Sequence, residues 1–320
     1  MHILLIKFAT KANPRYAEIM TAKQFIFIFF FSLFSITAIA DCGENGVWLQ
    51  VLGSGGPEVG DKRASSSYVI WHNGKAKLLV DMGSGSMLQF ESSGADINDL
   101  DAVLLTHLHV DHSADLPALI KASFFTNRTQ DLPIFGPSGN ALMPSTTAFV
   151  QTLFGPDGAY RYLSNYLDGS DSYTIRPQDI SIENKQEQTV LKNDYFQLTA
   201  VPIHHGPIPA IAWQINIAGK KIVFSGDMNN DNQTLAHLAS SADILVAHYA
   251  IPEGTKGIAR NLHMPPSVIG KIAAQANVKQ LVLSHHMLRT LDQTSNSQTQ
   301  IRNQYSGPLY FAVDLQCFKP

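Results

Sequence analysis

The chain is 320 residues long, 45% hydrophobic, and carries 23 basic against 26 acidic residues, a formal charge of −3. That length is enough to bury a full core, and we read it as one elaborated domain. A protein that grips nucleic acid mainly through its phosphates shows a basic face; beyond the N-terminal segment there is no Lys/Arg cluster, so a nucleic acid is not an expected partner.

Residues 1–40 are read as a secretory signal peptide, outside the domain at 41–320. "KQFIFIFFFSLFSITAIA" has a charged start at Lys23, an apolar run from Phe25 and a small-x-small site at Ala38 and Ala40. The lead-in before Lys23 is long for such a signal, and Met20 is an alternative start. Nothing later approaches the roughly 20 apolar residues of a spanning helix. The expected product is therefore exported, periplasmic or secreted, with no membrane association after cleavage. Cleavage removes four basic residues and one acidic residue, taking the charge from −3 to −6. Cys42 and Cys317 lie at opposite ends of the remaining chain; in an oxidising compartment they form a disulfide or stay as two thiols.

In chain order, "GVWLQVLGSGG" predicts a strand over 47–52 running into a glycine-rich turn, and "SSYVIWHNGKAKLLVDMGSG" a hairpin around Asn73-Gly74. "DLDAVLLTH" predicts a strand buried on both faces, and "ADLPALIKASFF" a helix. Residues 136–173, with Phe149, Phe154, Tyr160 and Tyr166 among Gly, Pro and Asp, read as a partly helical insertion able to wall a site with aromatic rings. The second half repeats the strand-rich pattern in "YFQLTAVPIHH", "AIAWQINIAGKKIVFSGD" and "ADILVAHYA", then adds an amphipathic helix and a buried strand in "PPSVIGKIAAQANVKQLVLSHH". Two such halves suggest an α/β sandwich with ligands along one edge.

Five of these strands are apolar until their last residues and then deliver a His or an Asp: Asp81; His107 and His109; His204 and His205; Asp227; His285 and His286. Asp111 and His112 follow the second of them. Imidazole and carboxylate together suit zinc, with manganese or iron as alternatives. His107 and His109, alternate residues on an extended segment, can share one ion.

"THLHVDH" matches the HxHxDH signature of the metallo-β-lactamase superfamily, and the other strand endings fall in that family's order. The resemblance implies a four-layer αβ/βα sandwich with two Zn2+ ions. It implies His107, His109 and His205 on one ion, Asp111, His112 and His285 on the other, and Asp227 between them. Asp81 would orient ligands, with His204 and His286 as neighbours of the ligands. "HGPIPAIAWQINIAGKKIVFSGDMN" and "LHMPPSVIGKIAAQANVKQLVLSHH" resemble the branch that holds ribonuclease Z, bacterial cyclic-nucleotide phosphodiesterases and zinc-dependent arylsulfatases. In that branch His263 would reach the reacting group, and Asp111 and His263 are the expected catalytic side chains.

"LGSGGPEVGDKRASSSYVIW" and "GPSGN" look closest to the arylsulfatases. The expected activity is thus hydrolysis of a small sulfate or phosphate ester. A cyclic-nucleotide or other phosphodiesterase is the alternative, and a ribonuclease Z-like endonuclease or a lactonase or β-lactamase stands further off. Export, charge, and His248-Tyr249 in place of a His-Glu pair count against ribonuclease Z. Homodimerisation is left open.

Overall fold

A computed structural model describes Cys42 and residues 44–320. The signal-peptide expectation falls on residues outside this set. Among the described residues, no helix is long and apolar enough to cross a membrane.

Among the described residues, fourteen strands form two seven-stranded sheets. The first contains β1 (Val47–Gly53), β2 (Ser67–His72), β3 (Lys75–Met82), β4 (Ala102–Leu104), β5 (Leu132–Pro137), β6 (Ile175–Ile180) and, at its edge, β14 (Cys317–Phe318). The second contains β7 (Gln188–Lys192), β8 (Phe196–His205), β9 (Ile208–Ile217), β10 (Lys220–Phe224), β11 (Ile244–His248), β12 (Gln280–Ser284) and β13 (Leu309–Phe311). Each sheet begins as an antiparallel meander and continues as parallel strands: β3 to β6 in one, β10 to β13 in the other.

Side-chain alternation builds the layers. Tyr68, Ile70, Leu78 and Val80 point inward and meet Trp213, Ile215, Phe224 and Val246 of the other sheet. Val69, Trp71, Leu79 and Val103 point outward, under helices that include Leu116–Ser123 and Thr146–Phe154. The second sheet has its own outer core beneath Pro266–Gln275 and Thr294–Arg302. Three apolar layers between four structural layers give the αβ/βα sandwich of the metallo-β-lactamase fold.

Strand direction places the functional edge. β8 runs the same way as β10 because both are antiparallel to β9. The carboxyl ends of β3 and β4, and of β8, β10, β11 and β12, therefore reach one rim of each sheet, where open α/β sheets bind ligands.

Two regions differ from the sequence reading. Residues 138–174 form the crossover that joins the parallel strands β5 and β6, as such a pair requires. Its helices cover the outer face of the first sheet, while Asn140 near its start donates to the Pro207 carbonyl, two residues past His205. Phe154 and Tyr166 are 0% and 2% exposed within the outer core, and Phe149 packs against it half-buried, so burial has taken these rings. Tyr160 stays partly exposed beside Tyr162 and 6.4 Å from Phe154.

After β13, residues 312–320 return to the first sheet, where β14 pairs with β1. This return supports the glycine-rich turn after β1, because the Asp314 carboxylate accepts from Ser54 N, Ser54 Oγ and Ala64 N at 2.6–2.9 Å. Cys317 is bonded to Cys42, with Cα atoms 5.8 Å apart.

Closing a 275-residue separation, this bridge is expected to stabilise the fold by roughly 2–4 kcal/mol. A Cys42→Ser, Cys317→Ser double variant should show a correspondingly lower urea midpoint. An unchanged midpoint would mean that strand pairing alone holds the return. Phe154→Ala should cost about 3–5 kcal/mol while leaving KM for any substrate unchanged.

Candidate metal centre

The rim gathers side chains from both sheets. Asp81 ends β3, His107 and His109 follow β4, and Asp111 and His112 lie on the short helix Val110–Ser113. His205 ends β8, Asp227 follows β10, His248 ends β11 and His285 follows β12. His263 sits between the helices Ile258–Leu262 and Pro266–Gln275. Asp81 and His285 both adopt left-handed backbone, at φ 54° and 59°, the kind of strain that collects at functional sites. Close approach needs glycine at two points. A β-carbon on Gly83 would collide with the Asp111 carbonyl, and one on Gly56 would lie 2.9 Å from His285 Cε1.

Among the described residues, potential ligand atoms fall in three groups, the atoms of each within 4.8 Å of one another: His107, His109 and His205; His112, Asp227, His248 and His285; and His205, Asp227 and His263. Asp227 Oδ2 links them, at 3.4 Å from His285 Nε2 and 3.8 Å from both His112 Nε2 and His205 Nε2. Asp111 Oδ2 lies 3.2 Å from His285 Nε2 and 3.5 Å from His112 Nε2. In a tetrahedral shell with bonds of about 2.1 Å, ligand atoms stand about 3.4 Å apart. The spacings fit that size.

Hydrogen bonds set which nitrogen of each ring faces inward. Asp81 accepts from His112 Nδ1 at 2.8 Å and from Thr106 N and Oγ1 at 2.7 and 2.8 Å, and the Leu262 carbonyl accepts from His205 Nδ1 at 3.0 Å. His112 Nε2 and His205 Nε2 are buried with no hydrogen-bond partner, though both face carboxylate oxygen. Buried nitrogens without partners are costly unless a cation takes them.

Charge points the same way. Burial opposes ionisation of Asp227, yet His285, His263 and His248 hold it well below the usual carboxylate range. Burial also opposes charge on His112, but Asp81 and Asp111 raise it well above its ordinary value, while burial lowers His107, His109 and His205. Ionised carboxylates in this space demand positive charge, which protonated imidazoles or metal cations supply. The donor set of imidazole nitrogen and carboxylate oxygen fits two first-row ions.

Other positions fall outside the groups. His204, next to His205 on an extended strand, points to the opposite face and is half-exposed. The His286 ring packs between Tyr249 and Phe311, with ring centres 5.6 and 6.3 Å away. Neither ring joins the ligand groups. Two residues were missed. His248 ends an apolar strand, "ILVAH", and carries the same signal as the five endings singled out. Thr106 left no such signal, since a threonine before a histidine is unremarkable until the fold places Asp81 beside it.

His205→Ala is expected to lower bound metal and His204→Ala to leave it unchanged, as read by metal analysis of the purified variants. Asp81→Ala should weaken metal binding about 10–100-fold in a chelator competition, because His112 loses the acceptor that turns its ring. Equal affinity would mean that packing alone sets the ring.

Residues 60–250 match the metallo-beta-lactamase superfamily. A ribonuclease Z of Mycobacterium sp. (strain KMS) is 31% identical over 248 residues, covering 74% of this chain and 83% of the relative. Among solved structures, the metallo-β-lactamase-fold protein YhfI of Bacillus subtilis has a TM-score of 0.67 at 22% identity, covering 86% of this chain and 99% of that one. The short form of human tRNase Z has a TM-score of 0.65 at 19% identity, covering 85% and 98%. The similarity to a ribonuclease Z overturns the expectation that a nucleic acid is not a partner, since charge balance counts residues over the whole surface and says nothing of one local site. These relatives lend no support to arylsulfatase specificity. The chain belongs to the metallo-β-lactamase superfamily, in the branch that holds ribonuclease Z.

Proposed function

We propose that this chain is a dinuclear-metal phosphodiesterase whose substrates are ribonucleotide phosphodiesters. The observation that carries the reading is the position of Asp227 Oδ2, shared between two ligand groups, with His263 Nδ1 3.9 Å away. The similarity to an enzyme named ribonuclease Z supports the choice of ribonucleotide.

His107, His109 and His205 would hold one ion, and Asp111, His112 and His285 the other, with Asp227 reaching both. When bound, two such ions lower the pKa of water and offset the charge of phosphate oxygens. The chain supplies orientation and the remaining proton chemistry. Asp81 and the Leu262 carbonyl keep the His112 and His205 rings turned inward. His263 is buried with its Nδ1 unpartnered, and its ring centre lies 5.4 Å from that of His205 and 5.9 Å from that of His285. It therefore stands over both groups, where it can hydrogen-bond the departing oxygen. Tyr249 cannot serve there, because its hydroxyl is committed to Ser297 and Thr290 in the outer helical layer. The Cys42–Cys317 bond supports export to an oxidising compartment as part of this proposal.

The test compares turnover of bis-nitrophenyl phosphate, a nitrophenyl sulfate and a 3′-extended RNA hairpin by zinc-loaded residues 41–320. Both phosphodiesters should be cleaved and the sulfate left. Cleavage of the small diester alone would restrict the reading to small phosphodiesters, and preference for the sulfate would overturn it. His263→Ala should retain both metals and lose about 10²–10⁴-fold in turnover on poor leaving groups; loss of metal would make His263 a ligand instead.

A further inference from the structure

We infer that Tyr68 and His248 form a buried lock on Asp227, fixing which of its carboxylate oxygens faces the ligand groups. The inference rests on the reading that those groups hold two ions.

His248 Nδ1 lies 2.8 Å from Asp227 Oδ1, and His248 Nε2 lies 3.2 Å from the Tyr68 hydroxyl. Tyr68, His248 and Asp227 are 0%, 2% and 3% exposed, so water does not compete for these bonds. A phenol is both donor and acceptor, whereas a neutral imidazole has one nitrogen of each kind. Asp227 accepts only, so His248 Nδ1 must carry the hydrogen, and Nε2 must accept from Tyr68. The chain of bonds thus runs in one direction, from Tyr68 through His248 to Asp227 Oδ1.

With Oδ1 occupied, Oδ2 is the oxygen left to face His285, His112, His205 and His263, at 3.4 to 3.9 Å. A carboxylate free to turn could offer both oxygens to one ion; with Oδ1 held by His248, this one would have only Oδ2 to offer. The same bonds exclude His248 as a ligand, although it falls within the second group. One of its nitrogens is spent on Asp227 and the other on Tyr68.

The lock also crosses the sandwich. Tyr68 is on β2 of the first sheet, its ring centre 5.2 Å from that of Phe224 in the central core. His248 ends β11 of the second sheet, and its backbone N–H donates to Ser225 Oγ at 3.0 Å. Ligands from the two sheets, His107 and His112 on one side and Asp227 and His285 on the other, are thereby held in register. Tyr68 and His248 are positioning residues.

The test measures zinc affinity by chelator competition on zinc-loaded wild type, Tyr68→Phe, His248→Ala and His248→Asn, with thermal midpoints and the number of ions at saturation. Tyr68→Phe should keep two ions and lose about tenfold in affinity for the weaker one. His248→Ala should lose about 10–100-fold. His248→Asn keeps an amide N–H where Nδ1–H stood and should recover most of that loss. Nitrogen-15 spectra of the histidine rings should show the Nδ1–H form at His248 in wild type and a mixture in Tyr68→Phe.

A role in packing alone would lower the midpoints without ranking Asn above Ala, and would overturn the lock. So would equal affinities throughout, or one ion fewer in His248→Ala with Tyr68→Phe unchanged, which would make His248 a ligand. If His248→Ala does not fold, Tyr68→Phe and His248→Asn decide. Failure of wild type to cleave any phosphodiester would refute the proposed activity and leave the affinities to judge the lock; fewer than two ions in wild type would refute the lock itself.

Discussion

A carboxylate taken out of water must find compensating charge or hydrogen bonds, and the whole rim is organised around that requirement at Asp227. Only 3% exposed, it faces four imidazoles through Oδ2 and one through Oδ1. The histidines in turn need acceptors on their outer nitrogens, which Asp81 and the Leu262 carbonyl provide. Each layer of partners fixes the next, from the strand ends inward.

The two sheets serve this end symmetrically. Each runs from an antiparallel meander into parallel strands, so each sends several carboxyl ends to one rim. Neither sheet carries a complete ligand set. The first brings His107, His109, Asp111 and His112 to the rim, with Asp81 behind them, and the second His205, Asp227 and His285, with His248 behind them, so the cluster exists only when the central core aligns the two sheets. The chain's return to the first sheet ties the two sheets together, because the loop after β1 rests on Asp314 while hydrogen-bonding the backbone of His286. Assembly of the site is thus coupled to the fold of the entire sandwich.

Charge was the misleading signal. Counting basic residues along the chain measures a diffuse field, while a phosphodiester can be held by a few groups at one point. The relatives named as ribonucleases correct the inference drawn from the first, and the cluster at the rim supplies a physical basis for the second.

The sequence by itself determined the sandwich and most of the side chains that gather at its rim, because periodicity marks strands and a polar residue ending an apolar strand is costly unless it has a task. Asp81, His107, Asp227 and the pairs His204–His205 and His285–His286 were legible in that way, and His248, noted only for the tyrosine that follows it, carries the same signal without having been placed at the site. The tertiary structure supplies the physical reason for preferring His205 to His204 and His285 to His286: His204 points to the opposite face of β8, and His285, in left-handed backbone beyond β12, brings Nε2 within 3.4 Å of Asp227 Oδ2 while the His286 ring packs between Tyr249 and Phe311. It also moved the aromatic segment from the rim to the outer core, where Phe154 and Tyr166 gain more by burial than they could at an open edge. The course of residues 287–320 was unreadable for a physical reason: a polar helix on the second sheet and a two-residue strand on the first carry little pattern, and their place depends on partners far away in the chain.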